Sequence, residues 1–509
     1  MVDPPQTPNI RSVCTQKIMT IQSRQERQGL PSDPLTLLSA ISAFCREHSL
    51  AESTFGRLAV NDGKFVSRLR DGGRVRMPTF AKVWQFLNAP PSGVDRPFVI
   101  GTPLTNATAS RLAAMNETTP IARSVETAEQ IAISEEKKTN FRFYDNRQKY
   151  LLFVNTCGEK SVVAQRVGME LGNIHPRPPA VRVFDAGVGD GTVLTRVMRE
   201  MHRRFPTLPF HIVGKEISLE DVRLTLEKMP DRFFEHPASV LVLTNLFYSE
   251  APWLAPKSVS AANSLIWHEL RLTGTTSSEF EQQITGLNPF LAQNWTVKQS
   301  PTTGNPLYER PIVLVIYRDD YRFLLDNVIP KPGAVRADYD LVIASQPYRL
   351  RVPTAFKAQR VLAPLARALG PGGRLIGIHS CGNDPGQELI SRVWPDDKPF
   401  GTNRHDLLKA LKQELGTAGR NLNFNAYADS RSIFRYDMHT LPTEIGNSIG
   451  TSTLFAAWNA AVYVAQIEDQ RLSETLIDGR YLDATRETLQ KHGGLWFNDE
   501  SFVVSRTRE

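Results

Sequence analysis

Short apolar runs alternate with segments of helical periodicity over most of the chain after about residue 140. After the run at residues 181–185, for example, Val193, Leu194, Val197 and Met198 recur at the spacing of one helix face. The runs that predict strands lie at residues 181–185, 210–215, 239–244, 339–348, 370–378, 434–441 and 495–504, with helices around 452–468 and 481–491. This alternation predicts an α/β fold with helices on both faces of a doubly wound, largely parallel sheet.

The first predicted strand ends in an acidic residue and runs into a glycine-rich turn. Asp185 is followed by Gly187, Gly189 and Gly191, and glycine suits such a turn because it tolerates positive φ and lets a ligand approach the backbone. Glu216 ends the second predicted strand, 27 positions after Gly189, where a ribose diol would need a carboxylate acceptor. Together these residues predict a nucleoside pocket.

The seven residues from Asp185 to Gly191 resemble the first motif of class I S-adenosylmethionine (SAM)-dependent methyltransferases. Residues 241–247, 339–348 and 370–378 resemble the family's third, fourth and fifth strands, and the resemblance extends from about residue 140 to the end. It implies a Rossmann-like sheet in the seven-strand methyltransferase order, with SAM as cofactor. The residues that it implies for cofactor binding are Asp185, Gly187, Gly189, Asp190, Gly191, Glu216, Asn245 and Leu246. The alternative interpretation is a dinucleotide-binding domain, or a glycine turn without a ligand.

The resemblance places the catalytic loop after the fourth strand, at Ser345, Gln346, Pro347 and Tyr348. Amino-methylating members of the family have Asn or Asp, two prolines and an aromatic residue there. The second proline and the aromatic residue match. Ser345 reaches less far than asparagine, so we expect the carbonyl of Gln346 to hold the acceptor and Tyr348 to offer a stacking face or a phenol. The alternative is that this loop only shapes the pocket wall.

The segment before the first strand often lies over the SAM site in this family. By resemblance, Tyr144 and Arg147 could reach the methionine carboxylate or the acceptor. The alternative is a helix with an ordinary mixture of surface and core positions.

The first 135 residues predict three different segments. Residues 1–32 are polar and contain several prolines, which predicts a flexible arm, and residues 90–135 predict a linker. Residues 33–89 predict short helices that resemble the helix-turn-helix of lambda-repressor-like DNA-binding domains, although Val60 and Asn61 replace the family's usual glycine and apolar residue. On this interpretation Lys64, Arg68 and Arg70 contact nucleic acid; the alternative is a helical docking domain.

Residues 136–509 form the predicted methyltransferase domain, and its third and fourth strands are too far apart for an ordinary crossover. The predicted insertion at about 250–335 is a candidate substrate-recognition lobe, or else a structural element such as a dimer surface. A homodimer is therefore left open.

Composition and charge bear on the location and partners of the protein more than on the reaction that it catalyses. Four widely spaced cysteines lack metal-binding spacing, so no metal site is expected. The N-terminus lacks the apolar core of a signal peptide, and the most apolar stretch, residues 453–467, is too short to span a bilayer, which predicts a cytoplasmic protein without a membrane partner. A net charge of +7 permits a polyanionic partner such as DNA or RNA.

The sequence therefore predicts a SAM-dependent methyltransferase whose methyl acceptor is unidentified, with nucleic acid as one candidate. The alternative is a DNA-binding transcriptional regulator whose methyltransferase-like domain binds SAM without turnover.

Overall fold

The computed structural model describes residues 34–47, 51–60, 62–70, 147–300, 305–440, 442–446 and 448–508, with a few positions between 79 and 87. The chain divides into two compact units, residues 1–124 and 125–509. The predicted arm at 1–32 and the predicted linker at 90–135 lie outside the described residues. Within the described ranges, no helix combines the length and the apolar character that a membrane span requires.

The described part of the first unit contains the helices α1 (Pro34–Glu47), α2 (Glu52–Val60) and α3 (Phe65–Arg70). Their apolar residues, among them Leu37, Phe55 and Val66, share one core. A Cβ on Gly56 would lie 2.4 Å from the carbonyl oxygen of Asp62, so α2 packs directly on the turn before α3. The helix-turn-helix assignment remains a prediction, since most of residues 71–89 lie outside the described residues.

The second unit is an α/β fold around one central mixed sheet. The strands are β1 (Val181–Asp185), β2 (Phe210–Lys215), β3 (Ser239–Thr244), β4 (Ile266–Leu272), β5 (Val297–Gln299), β6 (Pro306–Tyr308), β7 (Ile312–Arg318), β8 (Tyr339–Ser345), β9 (Leu369–Ser380), β10 (Leu422–Asn425), β11 (Ile433–Asp437) and β12 (Trp496–Arg506). In the described residues, ten of them form the central sheet and β5 pairs with β6 separately.

Along the sheet the order is β10-β12-β9-β8-β1-β2-β3-β7-β4, and β11 also pairs with β12. Neighbours from β9 to β3 run parallel, whereas β12 runs antiparallel to β9, and β7 antiparallel to β3. The carboxyl ends of β1, β2, β8 and β9 therefore meet at one edge, together with the amino end of β12. Ligands bind at this edge in open α/β sheets.

Helices cover both faces of the sheet. Those of the second unit are α4 (Arg147–Thr156), α5 (Glu159–Glu170), α6 (Thr192–Arg204), α7 (Leu219–Glu227), α8 (Pro230–Glu235), α9 (Val259–Asn263), α10 (Ser277–Thr285), α11 (Asn288–Asn294), α12 (Arg322–Leu325), α13 (Thr354–Lys357), α14 (Ala363–Arg367), α15 (Pro385–Val393), α16 (Arg404–Leu415), α17 (Asp429–Ser432), α18 (Thr451–Val464), α19 (Asp469–Asp478) and α20 (Arg480–His492). Val183 and Phe184, adjacent on β1, enter separate cores on opposite faces, so β1 is buried on both sides. A third core is formed by residues of α4, α15, α18, α19 and α20.

The insertion contributes to the sheet itself. β7 pairs with β3 and β4 pairs with β7, so both strands lengthen the central sheet at the β3 edge. All seven residues of β7 are buried. The strands β4 and β7 of the insertion therefore belong to the central sheet, and the role of the insertion in substrate recognition or as a dimer surface remains a prediction.

Candidate functional site

The glycine turn after β1 is held in a defined conformation by Asp185. Its Oδ1 accepts a hydrogen bond from the Gly187 amide at 3.1 Å, and burial raises the pKa of this carboxyl to about 6. A Cβ on Gly187 would meet no atom within 4 Å, whereas Gly189 and Gly191 have φ of 55° and 78°. A Cβ on Gly191 would lie 2.9 Å from the Thr225 backbone. Gly187 thus borders open space, and Gly191 is required by close packing.

Asp190 stabilises the turn from within. Its carboxylate accepts hydrogen bonds from the Thr192 amide at 3.3 Å, from Lys228 Nζ at 3.1 Å and from the Tyr150 hydroxyl at 3.4 Å. Burial alone would raise the pKa of Asp190, but Thr192 and the charges of Lys160 and Lys228 hold it below its ordinary value. Much of the hydrogen-bonding capacity of Asp190, a predicted cofactor-binding residue, is therefore used to position the turn.

Glu216 lies immediately after β2 and joins three backbone amides. Its Oε2 accepts from Gly189 at 2.9 Å, and its Oε1 accepts from Ile217 and Ser218 at 2.8 and 2.9 Å. A carboxylate offers about four lone-pair sites, so one site, on Oε2, is left for a ribose hydroxyl. A second ribose hydroxyl would have to displace one of the three amides. Glu216 can therefore accept from only one of the two hydroxyls of the ribose diol for which the sequence predicted it as the acceptor.

The other two predicted cofactor residues follow β3 and are fully buried. The Asn245 side chain donates to the Arg310 carbonyl at 2.8 Å and accepts from the Ile312 amide at 2.8 Å. Leu246 belongs to one of the two main cores. Both side chains therefore serve the packing of β3 against the insertion, and neither faces the glycine turn with a free polar group.

Helices α4 and α5 bring charged residues to the same edge. Tyr150 on α4 contacts Asp190, and Lys160 in the first turn of α5 lies 5.5 Å from the Tyr150 ring centroid. Burial would lower the pKa of Lys160, but Tyr150, Glu159 and Asp190 raise it well above its ordinary value. The amine is therefore charged, and 23% of the side chain remains exposed. Of the two residues singled out in this segment, Tyr144 lies outside the described residues and Arg147 begins α4.

The loop after β8 holds the four predicted catalytic residues. Ser345 ends β8, and Gln346 has an unusual positive φ of 47°. The Gln346 amide nitrogen donates to the Ile378 carbonyl at 2.9 Å, and its side-chain Nε2 donates to Ser380 Oγ at 3.0 Å and to the Asp499 carboxylate at 3.3 and 3.4 Å. The Pro347 carbonyl accepts from the Tyr248 hydroxyl at 2.7 Å. The loop is thus tied to β9, to β12 and to the segment that follows β3.

Tyr348 is buried, in contrast to the open stacking face that the resemblance implied. Its hydroxyl lies 2.8 Å from His379 Nδ1, and His379 Nε2 lies 2.8 Å from Glu500 Oε1. Because the carboxylate can only accept, His379 donates to it through Nε2, and a neutral ring then accepts from the Tyr348 hydroxyl through Nδ1. Glu500 also accepts from the Arg404 amide at 2.6 Å and from its guanidinium at 2.8 Å. Tyr348 therefore anchors the loop to a buried ion pair.

The three predicted nucleic-acid contacts lie in the first unit, on and just before α3. Arg68 pairs with Asp62, and Arg70 donates to the two carboxylate oxygens of Glu52 at 2.6 and 2.8 Å. Two of the three cations are thus paired within the unit, and nucleic-acid binding remains a prediction.

Several residues at this edge were not predicted from the sequence. Asp499 and Ser380 are directly paired in the register of β12 and β9, and Asp499 has no exposed surface. Two acids inside the apolar run at 495–504 were a usable signal, because buried carboxylates need polar partners. Lys160 offered no such signal. In the described part of the chain, no group of three or more His, Cys, Asp or Glu residues is arranged to hold a metal ion.

No protein family model matches the chain, and no curated protein matches it by sequence. Among solved structures, it is similar to the geranyl diphosphate C-methyltransferase of Streptomyces coelicolor A3(2), with 12% identity, a TM-score of 0.26 and coverage of 68% of this chain and 79% of the other. It is also similar to a putative sarcosine dimethylglycine methyltransferase from Galdieria sulphuraria, with 12% identity, a TM-score of 0.25 and coverage of 69% of this chain and 86% of the other. A plantazolicin methyltransferase in complex with SAH is similar with 10% identity, a TM-score of 0.25 and coverage of 75% of this chain and 92% of the other. These TM-scores are too low for the matches to carry an argument about function.

Proposed function

We propose that this protein is a SAM-dependent methyltransferase whose cofactor binds along the carboxyl edge of β1 and β2. The observation that carries the proposal is the open space in front of Gly187, in a turn whose other members are closely packed. Around this turn, Glu216 keeps one acceptor site for a ribose hydroxyl and Lys160 supplies a positive charge. An acceptor for a hydroxyl and a positive charge beside it fit a nucleoside that carries an amino-acid carboxylate.

Seven strands of the sheet support the same assignment. Numbered by their order along the chain, β1, β2, β3, β8, β9, β10 and β12 lie across the sheet as 3-2-1-4-5-7-6. The last of them, β12, is antiparallel to β9. This arrangement supports the seven-strand methyltransferase order, with β7 and β4 added at one edge and β11 beside β12.

Each group at this edge has a distinct role in the proposed reaction. Bound here, SAM supplies an electrophilic methyl group on a sulfonium. Glu216 orients the ribose end, Lys160 attracts the methionine carboxylate, and Asp185 fixes the turn between them through the Gly187 amide. The loop from Ser345 to Tyr348 follows β8, the strand next to β1, and is placed to hold the acceptor. Rate enhancement on this scheme comes mainly from positioning.

Gly187→Leu tests the cofactor site directly. Gly187 does not have a positive φ, and its Cβ would meet nothing, so the fold should tolerate a larger side chain that fills the space. Titration calorimetry should show SAM and S-adenosylhomocysteine (SAH) binding to the wild type, with loss of both in the variant at unchanged melting temperature. Gly401→Leu is the matched control, because Gly401 is also an exposed glycine with open space around its Cβ.

Two results would contradict the proposal. The first is failure of the wild type to bind SAM or SAH. The second is binding of SAM and SAH by Gly187→Leu that is as tight as their binding by Gly401→Leu. Methyl transfer itself is tested by offering labelled SAM with metabolite and nucleic-acid extracts, and by identifying the labelled product with mass spectrometry.

A further inference from the structure

A groove of about 520 Å³ lies between α5 and α6, and three arginines of α6 line it. Arg196, Arg199 and Arg203 are spaced by three and four residues, so their side chains lie on one face of the helix. All three are exposed. The rise of an α-helix separates the first from the last by about 10 Å. The guanidinium groups therefore form a positively charged row along one side of the groove.

The charges of this row are largely uncompensated. Arg196 Nη1 donates to Ser161 Oγ at 2.9 Å, and this neutral partner leaves the charge in place. Arg199 has neither a hydrogen bond nor an ion pair with the residues that the structure describes. Arg203 pairs with Glu200 at 2.6 Å, but its side chain is 76% exposed, so the pair is weak. Glu200 is the only acid among the described residues that line the groove, which is therefore positively charged.

The groove reaches the carboxyl edge of the sheet. Ser161 lies in the first turn of α5, directly after Lys160, and Arg196 lies in the second turn of α6, just after the glycine turn. Lys160 is partly exposed. From this end, the row of arginines continues along α6 toward the amino ends of the parallel strands. A polyanion that lies along the row therefore has one end beside Lys160 and the proposed cofactor site.

We propose that this groove binds the phosphate backbone of a single-stranded nucleic acid. The guanidinium of arginine is a planar fork of N–H donors that matches two oxygens of one phosphate. A row of about 10 Å is long enough for more than one phosphate of a strand. Cationic grooves of this kind follow the backbone and do not read the base sequence. Such binding requires no cofactor and is therefore independent of the proposed function.

The lining of the groove favours a nucleic acid over other polyanions. Among the described residues of the lining, Met169 is the only large apolar side chain that is exposed. Peptides are commonly held through apolar pockets or the free edge of a sheet, and the described lining contains neither. Membrane-surface binding adds apolar anchors to cations, and a flat bilayer does not fit into a groove. The site also differs from Lys64, Arg68 and Arg70, which belong to the first unit.

Fluorescence anisotropy on the full chain tests this site with a labelled oligouridine of about 16 nucleotides at low salt. The groove variant, with Arg196→Gln, Arg199→Gln and Arg203→Gln, removes the row but keeps polar side chains at exposed positions, so its melting temperature should not change. It should bind the oligouridine about tenfold more weakly than the wild type. The slope of log affinity against log salt should fall by about two, because three phosphate contacts on a single strand are lost.

The matched control removes the same charge from the other face of the sheet. Lys409, Lys412 and Arg420 are exposed and lie on or just after α16. The apolar residues of α16 belong to one main core, whereas those of α6 belong to the core on the opposite face. The α16 control, with Lys409→Gln, Lys412→Gln and Arg420→Gln, should therefore keep the affinity and the salt slope of the wild type.

A further variant, with Lys64→Gln, Arg68→Gln and Arg70→Gln, measures the contribution of the first unit. Loss of affinity in this variant alone would place the nucleic acid there and overturn the groove as its site. Failure of the wild type to bind either oligouridine or oligothymidine, or equal affinity of the groove variant and the α16 control, would overturn the proposal as well. Groove-dependent binding of polyglutamate or of phosphatidylserine vesicles, without binding of an oligonucleotide, would assign the groove to another class of partner and overturn the nucleic-acid assignment.

Discussion

The buried ion pair between Glu500 and Arg404 allows a quantitative test of how the loop after β8 is anchored. Glu500→Gln keeps the shape of the side chain but replaces one acceptor oxygen by an NH₂ group that faces the Arg404 guanidinium, now 2.8 Å from the carboxylate. At about 4 Å between charge centres and an effective dielectric of about 20, the lost attraction is ~4 kcal/mol. Removing one partner of a buried pair typically costs about 3–5 kcal/mol. We expect a loss of this size in the free energy of unfolding.

Urea unfolding followed by circular dichroism measures this loss, and Asp429→Asn provides the control. Asp429 pairs with the same guanidinium, but its side chain is 77% exposed, so the control should cost at most about 1 kcal/mol. Equal stabilities of Glu500→Gln and Asp429→Asn would refute the view that the buried pair stabilises this edge.

The same pair predicts a pH dependence. Burial alone would raise the pKa of Glu500, but His379 and Arg404 hold it below its ordinary value. A carboxyl whose pKa is lowered on folding contributes stability above its unfolded pKa of about 4.3, and that contribution is lost as the pH falls through the folded value. The stability difference between wild type and Glu500→Gln should therefore be full above about pH 5 and should shrink below about pH 4. A constant difference from pH 3 to pH 7 would exclude this linkage.

Three further predictions concern the turn, the loop and the first unit. Gly191→Ala should destabilise the fold by about 2–5 kcal/mol in urea unfolding, because φ of 78° disfavours alanine and its Cβ would overlap the Thr225 backbone. Tyr348→Phe should lower the free energy of unfolding by about 1–3 kcal/mol, because His379 Nδ1 loses its donor. Calorimetry should show unchanged SAH affinity in this variant, and a loss of SAH affinity would place Tyr348 in the cofactor site. If the first unit binds nucleic acid, Lys64→Gln should lower the slope of log affinity against log salt by about one; no binding of duplex DNA or RNA at low salt would favour the docking-domain interpretation.

The sequence by itself determined seven of the strands that the structure describes in the second unit, and the turn at their centre. The apolar run before Asp185 and the glycines after it predicted β1, the turn and α6, because local geometry and side-chain periodicity are encoded in neighbouring residues. The carboxylate after β2 was predicted for the same reason. β10 and α19 were missed, since a four-residue strand and a polar helix carry little hydrophobic periodicity.

Only the tertiary structure decided which side chains are available at the site. Asn245 fits a cofactor motif by position, but the pairing of β7 with β3 brings Arg310 and Ile312, just before and at the start of β7, to both of its hydrogen-bonding groups. Tyr348 is turned inward by His379, and Gln346 is oriented by Asp499, 153 residues further along the chain. Such pairings depend on strand order and register, because residues far apart in sequence become partners only when the sheet forms. The pattern of a single segment therefore cannot predict them.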